Sequence, residues 1–229
     1  MGIISIEKTN HLFWLGRYCE RVFTTLKVFR KYYDTMIDGS QSDYQIFCLK
    51  LGIPNIYQNS EDFVNRYVHD GTNPNSLVSN MRRAYDNAIV LREHLTSETL
   101  SYVQMALDTL EAESVSANRI TPMIALQKVI DDIYAFWGSA EDCVTDERAR
   151  NLMKVGRSVE RLDIYLRLHH DPQVVKIEYM KLINRLYKTQ IAYDKSKLQF
   201  LNNMILERGN WNDRVGEMLF AIEGLFVDM

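Results

Sequence analysis

The sequence predicts an all-α protein, a single antiparallel multi-helix bundle, and three observations carry that prediction. Gly and Pro are scarce, at 10 and 4 in 229 residues, whereas sandwiches and barrels need frequent turns. Apolar residues recur with alternating gaps of three and four over long stretches, which is the period of a buried helix face. No segment sustains the period-two alternation of a strand. The 46% apolar and 25% charged content is that of an ordinary globular chain. The length is well above that at which a core needs staples. No stretch rich in Pro, Gly or Ser interrupts residues 1–229, which read as one helical domain.

The first helix should run from Glu7 to Ile37, with a seam of Leu12, Leu15, Cys19, Val22, Leu26, Phe29, Tyr33 and Met36, and stop near Asp38-Gly39-Ser40. Short helices are expected at Asp43–Leu51 and Ser60–Val68, around an irregular Leu51–Asn59 loop that holds Gly52 and Pro54. Asn73-Pro74, Thr121-Pro122 and Asp171-Pro172 each place a capping side chain before a proline. The cap's oxygen accepts from a free backbone N–H, and Pro at the first helical position loses no bond. These three sites open helices Pro74–Leu95, Pro122–Ser139 and Pro172–Glu207. Helices Ser97–Val115, Thr145–His169 and Trp211–Phe226 complete the set. In Pro122–Ser139 the residues Ala125, Val129, Ile133 and Phe136 share a face.

The net charge of −3 offers no basic stripe for a nucleic-acid backbone. Cys19, Cys48 and Cys143 lie far apart and are odd in number, so they read as buried thiols of a cytoplasmic protein. Met1–Asn10 lacks a signal-peptide pattern, and Met218–Val227, broken by Glu223, is too short to span a bilayer. No Glu-x-x-His pair, zinc motif, Walker loop or nucleophile elbow occurs, so neither a metal nor a cofactor is expected. His169-His170-Asp171 reads as a helix end, where the dipole favours histidine.

The chain contains one helix type twice, as segments 7–37 and 145–169, which suggests two related halves. Leu15-Gly16-Arg17-Tyr18-Cys19-Glu20-Arg21 reappears as Val155-Gly156-Arg157-Ser158-Val159-Glu160-Arg161, and the apolar seam repeats with it until Phe29 meets His169. On a helical wheel, Arg17, Glu20 and Arg21 fall away from the Leu15 seam, with Glu20 beside Arg17. A glycine costs roughly 1 kcal/mol inside a helix. Gly16 and Gly156, each bordering the seam, therefore suggest close approach by another backbone or a ligand. Three readings of the charged set stand open. It is a solvated face; or a buried network bracing the halves; or a shared cleft where Arg17, Arg21, Arg157 and Arg161 hold a carboxylate or phosphate in bidentate fashion. A second polar cluster comprises Arg82, Arg83, Asp86, Asn87, Arg92 and Glu93. Asn87 is a weak mid-helix residue that needs a partner if buried, while Asp86 and Glu93 are expected at the surface.

These residues resemble the alpha-E family, a bacterial helical domain with a Glu-Arg motif. The resemblance rests on Asn10 to Arg21, on Asn73-Pro74-Asn75-Ser76-Leu77 with Arg83, Asn87 and Arg92-Glu93-His94-Leu95, and on Phe136-Trp137-Gly138 followed by Val155 to Arg161. It covers roughly residues 5–170 closely. The tail departs from the family pattern, with Gly209 to Val215 where a Pro-Arg-Ser-like segment is usual. The resemblance implies association with ATP-grasp proteins and transglutaminase-like peptidases, and so a role in peptide amide-bond chemistry. The first expectation is a non-catalytic partner that helps hold an acidic peptide or phosphorylated intermediate. The second is an enzyme with Glu20 or Glu160 as general base, which a neighbouring Arg disfavours by lowering the acid's pKa. The third is a bundle in which the Arg-Glu sets are braces only.

Overall fold

A computed structural model describes residues 5–37, 43–114, 123–208 and 211–226. Within them lie ten α-helices: α1 (Ile6–Ile37), α2 (Asp43–Leu51), α3 (Ser60–His69), α4 (Leu77–Val90), α5 (Ser97–Ser114), α6 (Met123–Cys143), α7 (Glu147–Arg167), α8 (Pro172–Thr189), α9 (Lys195–Asn202) and α10 (Val215–Glu223). No strand is present among the described residues, and one isolated bridge joins Tyr193 to Phe226. No described helix is long and apolar enough to cross a membrane.

Local chemistry explains most boundaries, including two that differ from expectation. Asp171 caps α8 and Pro172 opens it, as read from the sequence. Thr121-Pro122 and the stop at residues 38–40 lie outside the described residues. The Asn73-Pro74 helix start is corrected: α4 begins at Leu77. The Asn73 side chain caps only a turn, accepting from the Asn75 amide at 2.9 Å, and Ser76 then takes the cap by accepting from Ser79 at 3.1 Å. The single helix expected over Pro172–Glu207 is also two. Gln190 takes a left-handed conformation (φ 55°) and ends α8, and Asp194 recaps the chain by accepting from the amides of Ser196 and Lys197. Beyond α9 the chain continues as a π-helix over Asn203–Arg208, and the C-terminal helix contracts to α10, preceded by a short 3₁₀ turn.

Two helices form the centre. No residue from Lys8 to Leu26 of α1 or from Arg148 to Leu168 is exposed, because both segments are covered on several sides. The α1 seam is fully buried from Leu12 to Phe29 with Tyr33 close behind, and Leu152, Val155, Val159, Leu162 and Leu166 of α7 match it. Cys19 and Cys48 are core residues and Cys143 is half-buried. Helices α4 and α6 pack against α1, and α8 and α10 against α7.

The expected antiparallel packing holds around the centre. His11 meets Asn87 between α1 and α4 and Lys8 meets Glu93 just beyond the end of α4, while Ser158 meets Glu178 and Arg148 meets Thr189 between α7 and α8. At the centre itself, α1 and α7 run in the same direction. Residue pairs rise together along both helices, from Gly16 against Met153 and Arg157 to Arg21 against Glu160. The contact is reciprocal. A Cβ on Gly16 would collide with the Met153 carbonyl, and one on Gly156 with the Phe13 carbonyl. The sequence inference that these glycines admit another backbone is correct, and each admits the other's helix.

A methyl at either position meets rigid backbone, so the helices must separate. Gly16→Ala and Gly156→Ala should each lower the unfolding free energy by at least about 2 kcal/mol, as overpacking does. Gly138 of α6, with no atom near its missing Cβ, is the control. Gly138→Ala should raise stability by roughly 0.5–1 kcal/mol. Denaturant titration of the three variants checks both signs.

The crossed arginine–glutamate site

In the helix reading the motif follows from its glycine. Where two parallel helices touch at Gly16 and Gly156, the residues one, four and five positions later flank the contact. Arg17 and Arg21 then face the other helix's Glu160, and Arg157 and Arg161 face Glu20. Arg17 Nε donates to Glu160 Oε2 at 2.8 Å and Arg21 Nε to Oε1 at 2.5 Å. Arg161 Nε donates to Glu20 Oε1 at 2.6 Å and Arg157 Nε to Oε2 at 3.2 Å. The Thr24 hydroxyl adds a 2.6 Å bond to Glu20.

The wheel placement of these charges is therefore corrected. Glu20 is 0% and Glu160 1% exposed, because α1 and α7 are each buried on more than the one face that a wheel assumes. Glu20 does not pair with Arg17 on its own helix, and each carboxylate belongs to the opposite pair of arginines. Four guanidinium groups around two buried carboxylates leave the set electrically positive. The arrangement withstands burial because every carboxylate oxygen is bonded to a donor. Burial pushes the Glu160 carboxyl up, but Arg17 and Arg21 outweigh it and hold the group below its ordinary value of 4.5.

The two half-sites lie on different sides of the α1–α7 contact and have different surroundings. Beside Glu160 stand Tyr67 of α3 and the Asp163–Arg167 ion pair of α7, around a cavity of about 30 Å³. Arg17 is 4.9 Å from the Trp14 ring. Beside Glu20, α6 and α8 supply the neighbours. Arg157 lies 4.6 Å over the Trp137 ring. Glu178, 3% exposed, accepts from Ser158 at 2.7 Å and pairs with Arg161 at 3.6 Å, Lys181 at 3.2 Å and Arg185 at 3.8 Å. Burial pushes Glu178 up, yet Arg161 and the Ser158 hydroxyl carry it below the usual carboxylate range. This side opens into a cleft of about 340 Å³, walled by Arg157, Arg161, Tyr165 and His170 of the α7 region, Lys27 and Lys31 of α1, and Tyr134 of α6.

The four motif arginines thus share one helix contact but no common cavity among the described residues. Arg157 and Arg161 line the large cleft, Arg21 the small one, and Arg17 neither. The second polar cluster also disperses. Arg82 pairs with Glu111 at 2.6 Å, Glu93 with Lys8 at 3.2 Å, and Arg83 donates to the Pro74 carbonyl at 3.0 Å. Asn87 does have a partner, His11 at 2.8 Å across the α1–α4 contact. Asp86, Arg92 and Glu93 are exposed. Lys27, Lys31, His170 and Glu178 were not anticipated. Only Glu178 carried a signal, as an acid inside the α8 seam of Val175, Tyr179, Leu182 and Leu186. His169, left-handed at φ 50°, ends the helix as expected, and in doing so turns His170 into the cleft wall.

A family model described as a predicted alpha-helical domain with a conserved ER motif matches residues 8–199. The chain belongs to the Alpha-E family. The match takes in both Glu-Arg pairs of the crossing, Glu20-Arg21 and Glu160-Arg161, together with α1 from Lys8 onward and the whole of α2 through α8. No curated protein and no solved structure matches this Alpha-E chain.

The crossed pairing sets which substitutions couple. Glu160→Gln leaves Arg17 and Arg21 facing a neutral amide and should cost on the order of 3 kcal/mol, as for a broken buried ion pair. A double-mutant cycle of Glu20 with Arg161 should show strong coupling, and one of Glu20 with Arg17 little. The sign of the pH effect follows from the depressed carboxyls. Glu160 and Glu178 contribute stability that is complete above about 4.5, their ordinary value, and is lost as pH falls through their lower folded values. Stability measured from pH 6 downward, roughly to pH 3, should fall less steeply in Glu160→Gln than in the parent.

Proposed function

We propose that this Alpha-E chain is a non-catalytic helical partner of an ATP-grasp peptide ligase or peptide-modification system, and that it binds an anionic group through the Arg-Glu cluster. The supporting observation is the Glu20 side of the crossing. Arg157 spends its Nε on Glu20, and among the described residues its two terminal nitrogens hydrogen-bond to no protein acceptor. It lines the 340 Å³ cleft with Arg161. A guanidinium fixed from behind and open in front is a preorganised receptor for carboxylate or phosphate.

The ATP-grasp ligase, the transglutaminase-like peptidase and the acidic peptide enter through the family resemblance. ATP-dependent peptide ligation places the system in the cytoplasm. The same geometry argues against the enzymatic alternative. Glu20 is wholly buried and claimed by three donors. Glu160 is held ionised by two arginines, which makes it a weak base. The purely structural alternative explains the buried carboxylates but not the open cleft.

Co-purification with the cognate ATP-grasp protein tests the proposal. The expected result is a complex that survives washing and is weakened by Arg157→Gln, in a variant whose thermal midpoint shows that it is folded. Absence of any complex, with or without ATP and an acidic peptide, overturns the partner role.

A further inference from the structure

We infer that the cleft beside Glu20 is a site for a small phosphomonoester whose organic part is flat or apolar. The inference rests on the anion-binding reading above and adds the class of ligand. Charge is the first ground. Lys27, Lys31, Arg157 and Arg161 bring four positive charges to the cleft wall. The carboxylates that contact them are Glu20, shared by both arginines, and Glu178, on Arg161. Lys27 and Lys31 make no ion pair among the described residues, and Lys27 is seated over the Phe23 ring at 5.1 Å. About two positive charges are thus left over at one wall. A carboxylate supplies one negative charge, whereas a phosphomonoester supplies about 1.5 to 2 near neutral pH and three acceptor oxygens.

Shape and surface are the second ground. Phe23, Tyr134 and Tyr165 add aromatic surface to the cleft lining. Tyr134 is 51% exposed and packs edge-on to Phe23 at 4.8 Å between ring centres. The 340 Å³ of space is within the range of small-molecule sites, roughly 300–1,000 Å³, and larger than a bare phosphate needs. Cations and aromatic faces side by side suit a molecule with a phosphate head and a ring or apolar body. The matching side of the crossing has neither the free lysines nor the room, at about 30 Å³.

Calorimetric titration of the whole chain with inorganic phosphate, ribose 5-phosphate, adenosine 5′-monophosphate, acetate and a glutamate-rich peptide tests the inference. Adenosine monophosphate should bind most tightly and inorganic phosphate more weakly, with acetate not competing. The test variant is Lys27→Gln with Lys31→Gln, two exposed residues outside the arginine–glutamate brace. It should keep its thermal midpoint and weaken phosphate-ligand binding about tenfold or more. Tyr134→Ala should remove the advantage of adenosine monophosphate over ribose 5-phosphate and leave inorganic phosphate unchanged. If acetate or the glutamate peptide binds as well as the phosphate compounds, the phosphate assignment fails and the broader anion site stands. If no anion binds the folded chain, both fail. If the lysine variant binds phosphate compounds as the parent does, the cleft is not their site.

Discussion

The contact of Gly16 with the backbone of α7, and of Gly156 with that of α1, is the constraint on which the centre of this protein depends. Helices separated by ordinary side chains lie 8–10 Å apart. Removing both Cβ atoms at the crossing lets the backbones approach more closely. Only then can an arginine one position past the glycine and another five past it both reach a glutamate four past the opposite glycine. The parallel direction of α1 and α7 is part of the same constraint. With both chains running the same way, equal motif positions face each other crosswise, and both carboxylates are served by the partner helix.

The crossing does not follow from burial alone. Glu20 and Glu160 sit among fully buried apolar residues such as Leu15, Cys19, Val155 and Val159. An uncompensated carboxylate there costs several kcal/mol, and a well-packed apolar pair in its place is often neutral or stabilising. The network is therefore better understood as specifying geometry. It rejects sliding of α1 along α7, because any shift unpairs four guanidinium groups and two buried acids together. The apolar seams, which repeat every three or four residues, would tolerate such a shift.

Much of this was legible in the residues, and the limits have physical causes. The seams of α1, from Leu12 to Tyr33, and of α7 were read correctly because each is one regular row, while the Met36 side chain lies outside the described residues. The glycines were informative because a helix interior rarely retains Gly without a close neighbour. The wheel misplaced Glu20 because it assigns each helix one buried side, whereas α1 is covered by α4, α6 and α7. Asn73-Pro74 misled where Asp171-Pro172 did not, because Ser76 stands two residues beyond the first proline and competes for the cap. The break after Thr189 was readable in Asp194, a cap residue followed by free amides. Lys27 and Lys31 gave no signal, since exposed lysines on a long helix are ordinary. Their meaning arises only when α6 and α7 bring Tyr134, Arg157 and Arg161 beside them.

The two sides of the crossing show how similar motif copies come to different surroundings. Both copies supply the same pairwise chemistry, so what distinguishes them is what packs outside. On the Glu160 side, Tyr67 and the Asp163–Arg167 pair leave a cavity of only about 30 Å³ beside the network, with Arg21 reaching solvent at its edge. On the Glu20 side, a tryptophan and a second buried acid, Glu178, support the arginines from behind while their front faces a cleft. Holding Arg157 and Arg161 on Glu20 has opposing effects. It cancels part of the positive potential that would attract an anion, and it removes the rotational freedom that an anion would otherwise have to restrict on binding. Lys27 and Lys31 supply positive charge that the brace does not neutralise. In the site we propose, the arginines would set the geometry of recognition and the lysines its strength, which favours the cleft over the crossing itself as the place for a ligand.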